Sequence, residues 1–191
     1  MEKTRSKGGG RPPSSGIYPK ALGKQWAQVS KPIQKLHDRR LRILWKGWFQ
    51  IDNGRRWLSK LIIFLMRLPR KTDRTSLRLK IERFKNGEKW SRQIGTHRLV
   101  TTQLEGRSRQ ILERMDGLEF AFNLRVKRGG IIYQQKSCGL RLGFLFIPLP
   151  KILSPRIEAS EKPSGKNVLV RVAIRVPIAG LVVSYNGRIA P

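Results

Sequence analysis

Leu77-Arg78-Leu79-Lys80-Ile81-Glu82, then Asn86-Gly87, then Trp90-Ser91-Arg92-Gln93-Ile94 is the stretch that decides the fold class. Apolar and charged residues alternate with a period of two, so an extended chain puts Leu77, Leu79 and Ile81 on one face. Asn86-Gly87 supplies the positive-φ positions of a tight hairpin turn. The same period runs downstream. Residues 96–103 and 107–115 read as strands, and Asp116-Gly117 as a turn. Leu118, Phe120, Phe122, Leu124 and Val126 then alternate with Glu119, Ala121, Asn123 and Arg125. A turn at Arg128-Gly129-Gly130 leads to a strand over 131–136. Residues 156–160 start another strand, Pro163-Ser164-Gly165 turns, and Val168, Val170, Val172, Ile174 and Val176 alternate again. Leu181, Val183 and Tyr185 supply the last strand, whose pattern fades at Asn186-Gly187.

Upstream the period changes. Residues 41–51 are rich in Leu, Ile, Trp and Phe and form the first strand; Asp52-Asn53-Gly54 turns, and residues 55–68 read as an apolar helix stopped by Pro69. The predicted fold is therefore mainly β: an antiparallel curved sheet or barrel of about eight to ten strands, with one helix inserted after the first strand.

Between the two strand runs lies Phe144-Leu145-Phe146-Ile147-Pro148-Leu149-Pro150-Lys151-Ile152-Leu153-Ser154-Pro155. Its prolines remove backbone donors and fix φ, so neither a central strand nor a helix can run through it. Pro148, Pro150 and Pro155 are expected to make a rigid apolar hinge.

The chain has 191 residues, enough to bury a core in one domain, with 41 Lys and Arg against 12 Asp and Glu, for a net charge of +29 at pH 7. That charge points to anionic lipid or another polyanion as partner, nucleic acid included. Residues 1–31 hold Gly8-Gly9-Gly10, Pro12-Pro13 and Ser14-Ser15 among basic residues, a composition expected to form a disordered basic arm ahead of a single domain over 32–191. No apolar leader opens the chain. The longest strongly apolar run, residues 61–66, falls far short of the ~20 residues that span a bilayer. The expected location is cytoplasmic, peripheral at the inner membrane surface where lipid is bound. The single Cys138 forms no disulfide framework.

Catalytic patterns are sparse. His37 and His97 lie far apart without a His-Glu-x-x-His pair, no Cys pair is present, and neither glycine cluster follows a strand into a helix. Glu82 and Glu119 fall at solvent-facing strand positions. The chain is read as non-enzymatic, with no cofactor and no metal. The sharper signal is Trp45, Trp48, Trp57 and Phe64 beside Arg55 and Arg56. Aromatic rings next to cations suit a membrane interface, where the ring sits at headgroup depth and Arg meets phosphate. They equally suit base stacking on single strands, or rings plugging a barrel end under a basic rim.

Four segments carry a resemblance: 88–95 (EKWSRQIG), 117–122 (GLEFAF), 147–157 (IPLPKILSPRI) and 177–187 (PIAGLVVSYNG). They resemble a bacterial domain of unknown function (DUF4166-type) that occurs alone or fused C-terminal to saccharopine-dehydrogenase-like reductases. The resemblance spans about Pro32 to Ala190, and it implies a β-rich domain without established activity or agreed catalytic residues. Three functions follow as expectations. The first is binding of an apolar or amphiphilic, lipid-like ligand at an anionic membrane, with the helix as lid over a hollow barrel. The second is a nucleic-acid-binding module using the basic face and arm, and the third, from the resemblance alone, is an accessory domain of a reductase.

Overall fold

The computed structural model describes residues 16–38 and 43–191. Within them lie helices α1 (Ile17–Leu22), α2 (Lys31–Leu36) and α3 (Trp57–Leu65). The strands are β1 (Ile43–Asn53), β2 (Thr72–Phe84), β3 (Gly87–Ile94), β4 (His97–Glu105), β5 (Ile111–Met115) and β6 (Leu118–Lys127). They continue as β7 (Gly130–Leu142), β8 (Leu145–Pro148), β9 (Arg156–Ser164), β10 (Asn167–Val176) and β11 (Gly180–Ala190).

The sheet order is β6-β5-β4-β3-β2-β1-β11-β10-β9-β7, and β6 also pairs with β7, so ten antiparallel strands close into a barrel with β8 added outside. Closure removes the exposed edges that an open sheet of this width would carry. The sequence reading holds here: mainly β, antiparallel, with α3 directly after β1. The Leu77–Ile94 hairpin forms, with Ile81 opposite Trp90 and Leu79 opposite Arg92, but it turns at Lys85-Asn86: Phe84 pairs with Gly87, which shifts the register from the one an Asn86-Gly87 turn would set.

Alternation sorts the strands into an inner and an outer face. Phe49, Ile51, Leu77, Leu79, Ile81, Ile111, Ile131, Val168, Val183 and Ile189 are buried inside. Burying each such side chain is worth about 1.5–3 kcal/mol, so this layer supplies most of the driving force. The last strand does not stop at Gly187; it pairs with β1 as far as Ala190, and Gly187 faces Phe49. A Cβ at Gly187 would run into the Phe49 ring and the Trp48 carbonyl, so the strand continues through a residue chosen for close approach.

Three expectations are corrected. Residues 16–31 are not an arm: Ile17, Tyr18, Leu22 and Val29 belong to the core, Ser30 N–H donates to the Gly129 carbonyl (2.9 Å), and Gln25 accepts from the Val126 N–H. Composition misled there because a few apolar side chains docking on a preformed barrel end can order a Gly- and Ser-rich neighbourhood. The rest of the expected arm, residues 1–15, lies outside the described residues, as do Arg39, Arg40, Leu41 and Arg42. Second, the hinge contains a strand: β8 pairs with β7 from Leu142↔Leu145 to Gly139↔Pro148, and its outer position tolerates proline. The chain then turns at Pro150, whose carbonyl accepts from the Leu153 and Ser154 N–H groups. Third, Glu119 is buried, held by Arg114 Nε at 2.7 Å.

The helices close the two ends. β4 ends at Glu105, which pairs with Lys20 of α1, and the β6–β7 turn holds Ser30, so α1 and α2 sit at one end. α3 sits at the other, where Ser59 Oγ donates to the Ala179 carbonyl in the β10–β11 connection (2.8 Å).

Candidate functional site

Polar residues gather inside the barrel under α1 and α2. β9 brings Glu161 inward and β7 brings Tyr133, while Tyr18 from α1 and His37 after α2 enter from the end; all four are largely or fully buried. His37 Nε2 lies 2.8 Å from one Glu161 carboxylate oxygen, and Tyr133 OH donates to the other at 2.7 Å. Tyr18 OH lies 3.0 Å from Tyr133 OH and 2.7 Å from Gln103, and its ring stacks on His37 with centroids 3.5 Å apart. Two hydroxyl protons cannot serve three contacts. Turning the Gln103 amide so that it donates to Tyr18 lets the protons run one way, from Gln103 through Tyr18 and Tyr133 to Glu161.

Burial pushes the Tyr18 and Tyr133 hydroxyls well above the ordinary tyrosine range, so both are neutral donors at any physiological pH. Burial would also raise Glu161, but the His37 charge and the hydrogen bonds from His37 and Tyr133 outweigh it and hold the carboxyl below its usual value. Beside this network Arg92 donates to Thr101 Oγ1 (3.0 Å), lies 5.0 Å over the Trp90 ring and faces Glu113 at 3.9 Å. Trp90 Nε1 donates to Glu88, which also pairs with Arg83. Acids, imidazole and hydroxyls thus engage one another. The void they surround is about 90 Å³. Ligand pockets run to roughly 300–1,000 Å³, so the interior is filled rather than hollow and holds no room for an acyl chain.

The expected contact residues separate. Trp45 points inward and is buried in the core; Trp48 lies on the outer strand face with the Arg74 guanidinium 5.5 Å from its ring. Trp57 and Phe64 come together on α3. They are 74% and 76% exposed, and Leu61 and Leu65 lie on the same helical face, also exposed. Leu58, Ile62 and Ile63 on the opposite face pack on the core. α3 is therefore apolar on both faces, and such a helix is ordinarily covered on both. Arg55 and Arg56 are exposed just ahead of it, Lys60 along it and Arg67 just past its end. The β7–β8 turn reaches the same end of the barrel, with Phe144 at its tip 94% exposed beside Leu142 and Leu145. No sequence pattern marks that tip as more than part of the apolar hinge.

A family model described as Domain of unknown function (DUF4166) matches residues 30–189. The chain belongs to this family. No curated protein and no solved structure matches it. Tyr18 lies ahead of the matched segment, so the His37–Glu161 pair of this DUF4166 domain is covered by a ring from outside the matched residues.

Two further surfaces of this DUF4166 domain carry charge. An outer groove of about 1,000 Å³ crosses β1, β11, β10, β9 and β7 and is lined by Lys136, Lys151, Arg156, Lys162, Arg171 and Arg175 with only Asp52 and Glu158 as acids. A depression of about 1,050 Å³ lies at the C-terminal end of α3. Among the described residues there is no group of His, Cys, Asp and Glu that could hold a metal ion, and no helix long and apolar enough to cross a membrane.

Proposed function

We propose that this protein binds anionic membrane surfaces without catalysis, docking through the barrel end that carries α3. The observation that carries the reading is the outward face of α3, where Trp57, Leu61, Phe64 and Leu65 stand exposed between cations. A bilayer is the occupant that suits this chemistry. Aromatic and aliphatic side chains enter the headgroup region in proportion to buried area, at about 25 cal/mol per Å², while each nearby Lys or Arg adds about 1 kcal/mol against anionic lipid. A second copy of the chain suits it less, because two surfaces of a +29 protein repel. With the barrel interior filled, the amphiphile is met at the outer surface and not enclosed beneath α3 as a lid.

The outer groove favours a second reading, a nucleic-acid-binding module gripping phosphates along β10 and β9. One experiment separates the two. Binding to anionic vesicles and to a random single-stranded oligonucleotide is measured from low to physiological salt, for the wild type and for Trp57→Ala with Phe64→Ala. Vesicle binding that persists in salt and collapses in the double mutant supports the membrane reading. Vesicle binding that vanishes with salt and ignores both substitutions, with the oligonucleotide held at physiological salt, replaces it with the nucleic-acid one.

A further inference from the structure

We propose that the depression beside the C-terminal end of α3 is a phosphomonoester site, the place where the docking end selects its headgroup. This deepens the membrane reading and rests on it. Five cations line the depression: Lys60 of α3, Arg67 just after it, Arg70 and Lys71 on the way to β2, and Arg98 of β4. Among the described residues no Asp or Glu lines it, and of the five only Lys71 has a carboxylate oxygen within 4 Å, that of Asp52 at 3.7 Å. Ile63, Phe64, Leu65 and Leu68 line it as well. A lining of cations and apolar side chains, next to the exposed face of α3, fits a ligand with an anionic head and an apolar tail.

The number of cations argues for the class of anion. Five like charges in one depression repel each other, and a phosphodiester headgroup, with a single negative charge, offsets little of that repulsion. A phosphomonoester approaches two charges, its second pKa of about 6 falling further beside cations, and it offers three acceptor oxygens. A cation just past a helix C-terminus is favourable on its own, which accounts for Arg67. It does not account for Arg70 or Arg98, which reach the same place from other segments.

Arg67 supplies an independent indication. Its backbone lies in the left-handed region at φ 48°, at the position that ends α3, where glycine is the residue best suited. A long cationic side chain stands where the backbone favours none. Arg67→Gly therefore relieves the backbone and removes one charge from the site, so a structural and a binding role predict opposite results.

The test compares vesicles of phosphatidylcholine containing phosphatidic acid with vesicles containing phosphatidylglycerol, matched in surface charge, and uses glycerol 3-phosphate as the free phosphomonoester. The wild type is expected to prefer phosphatidic acid by roughly tenfold, from several charge-assisted contacts. Arg67→Gly and Arg98→Gln should each cut that preference severalfold while phosphatidylglycerol binding persists, and Arg67→Gly should melt no lower than the wild type. Equal binding to the two vesicle types, or a preference that survives both substitutions, overturns the proposal. If neither vesicle is retained at physiological salt, the membrane reading falls, and calorimetry with glycerol 3-phosphate decides the site alone. Binding that Arg67→Gly weakens keeps a phosphomonoester site with a soluble source; no binding, or binding that ignores Arg67→Gly, removes the site too.

Discussion

Glu161 carries a buried negative charge inside a strongly basic molecule, and its neighbours fix its protonation. Because its folded pKa lies below the unfolded carboxylate value of about 4.3, the folded state binds fewer protons than the unfolded chain in that range. Its contribution to stability is present above about pH 4.3 and is lost as pH falls through the depressed folded value. Glu161→Gln should cost about 1–3 kcal/mol at neutral pH, since it removes the carboxylate that holds both His37 and Tyr133, and should flatten the loss of thermal midpoint on acidification. An unchanged acid limb in the variant would show that other carboxylates govern it. Cys138 tests burial nearby: desolvation pushes its thiol to about 11, so labelling by a thiol reagent at neutral pH should wait for unfolding. At this scale the sequence shows half of each pairing. Tyr133 and Glu161 each stand at an inward strand position, but Tyr18 and His37 reach them across most of the chain, and no local spacing marks such a contact. Glu119 misled for a related reason, because Arg114 and Arg141 cover it from the outer face.

Strands declared themselves where elements are long. β2, β3, β6 and β10 alternate over enough residues to make their period unmistakable, and Asp116-Gly117 names its own turn, with positive φ at both residues, whereas the β2–β3 turn falls one residue ahead of Asn86-Gly87. α1 has six residues, less than two turns, so no helical periodicity separates it from the low-complexity sequence in front, whereas Pro32 to Asp38 reads as a short turn of helix, where the equally short α2 forms. Their contribution comes from docking. Removing residues 1–31 takes Ile17, Tyr18, Leu22 and Val29 from the core, and at about 1.5–3 kcal/mol each this approaches the whole stability of about 5–15 kcal/mol. The truncated chain should lack a cooperative thermal transition in calorimetry; a midpoint within a few degrees of the full chain would show the end cap to be dispensable. The hinge behaves differently. Pro148 and Pro150 are exposed, so Pro148→Ala or Pro150→Ala loses little packing and should cost only about 0.4–1 kcal/mol by freeing the unfolded chain, measured by urea titration.

Charge and shape at the scale of the whole molecule make one orientation the informative quantity. A field of +29 draws any face toward an anionic bilayer at low salt, so attraction by itself says nothing about which face docks. At physiological ionic strength the field is screened beyond about 8 Å, and apolar contact decides the pose. The five tryptophans report it. Trp45 and Trp90 are buried and Trp26 packs at the α1 end; Trp48 is on the outer strand face, and Trp57 stands on the docking face of α3. Docking through α3 should therefore place Trp57 alone among the acyl chains. Trp57→Phe keeps an apolar ring there, so vesicle binding should persist while the blue shift in emission, and the quenching by lipids with brominated chains, disappear. Trp48→Phe should leave both signals intact. Quenching that survives Trp57→Phe and disappears with Trp48→Phe would turn the molecule by roughly a right angle, setting the outer strand face against the bilayer and leaving the apolar face of α3 without a partner.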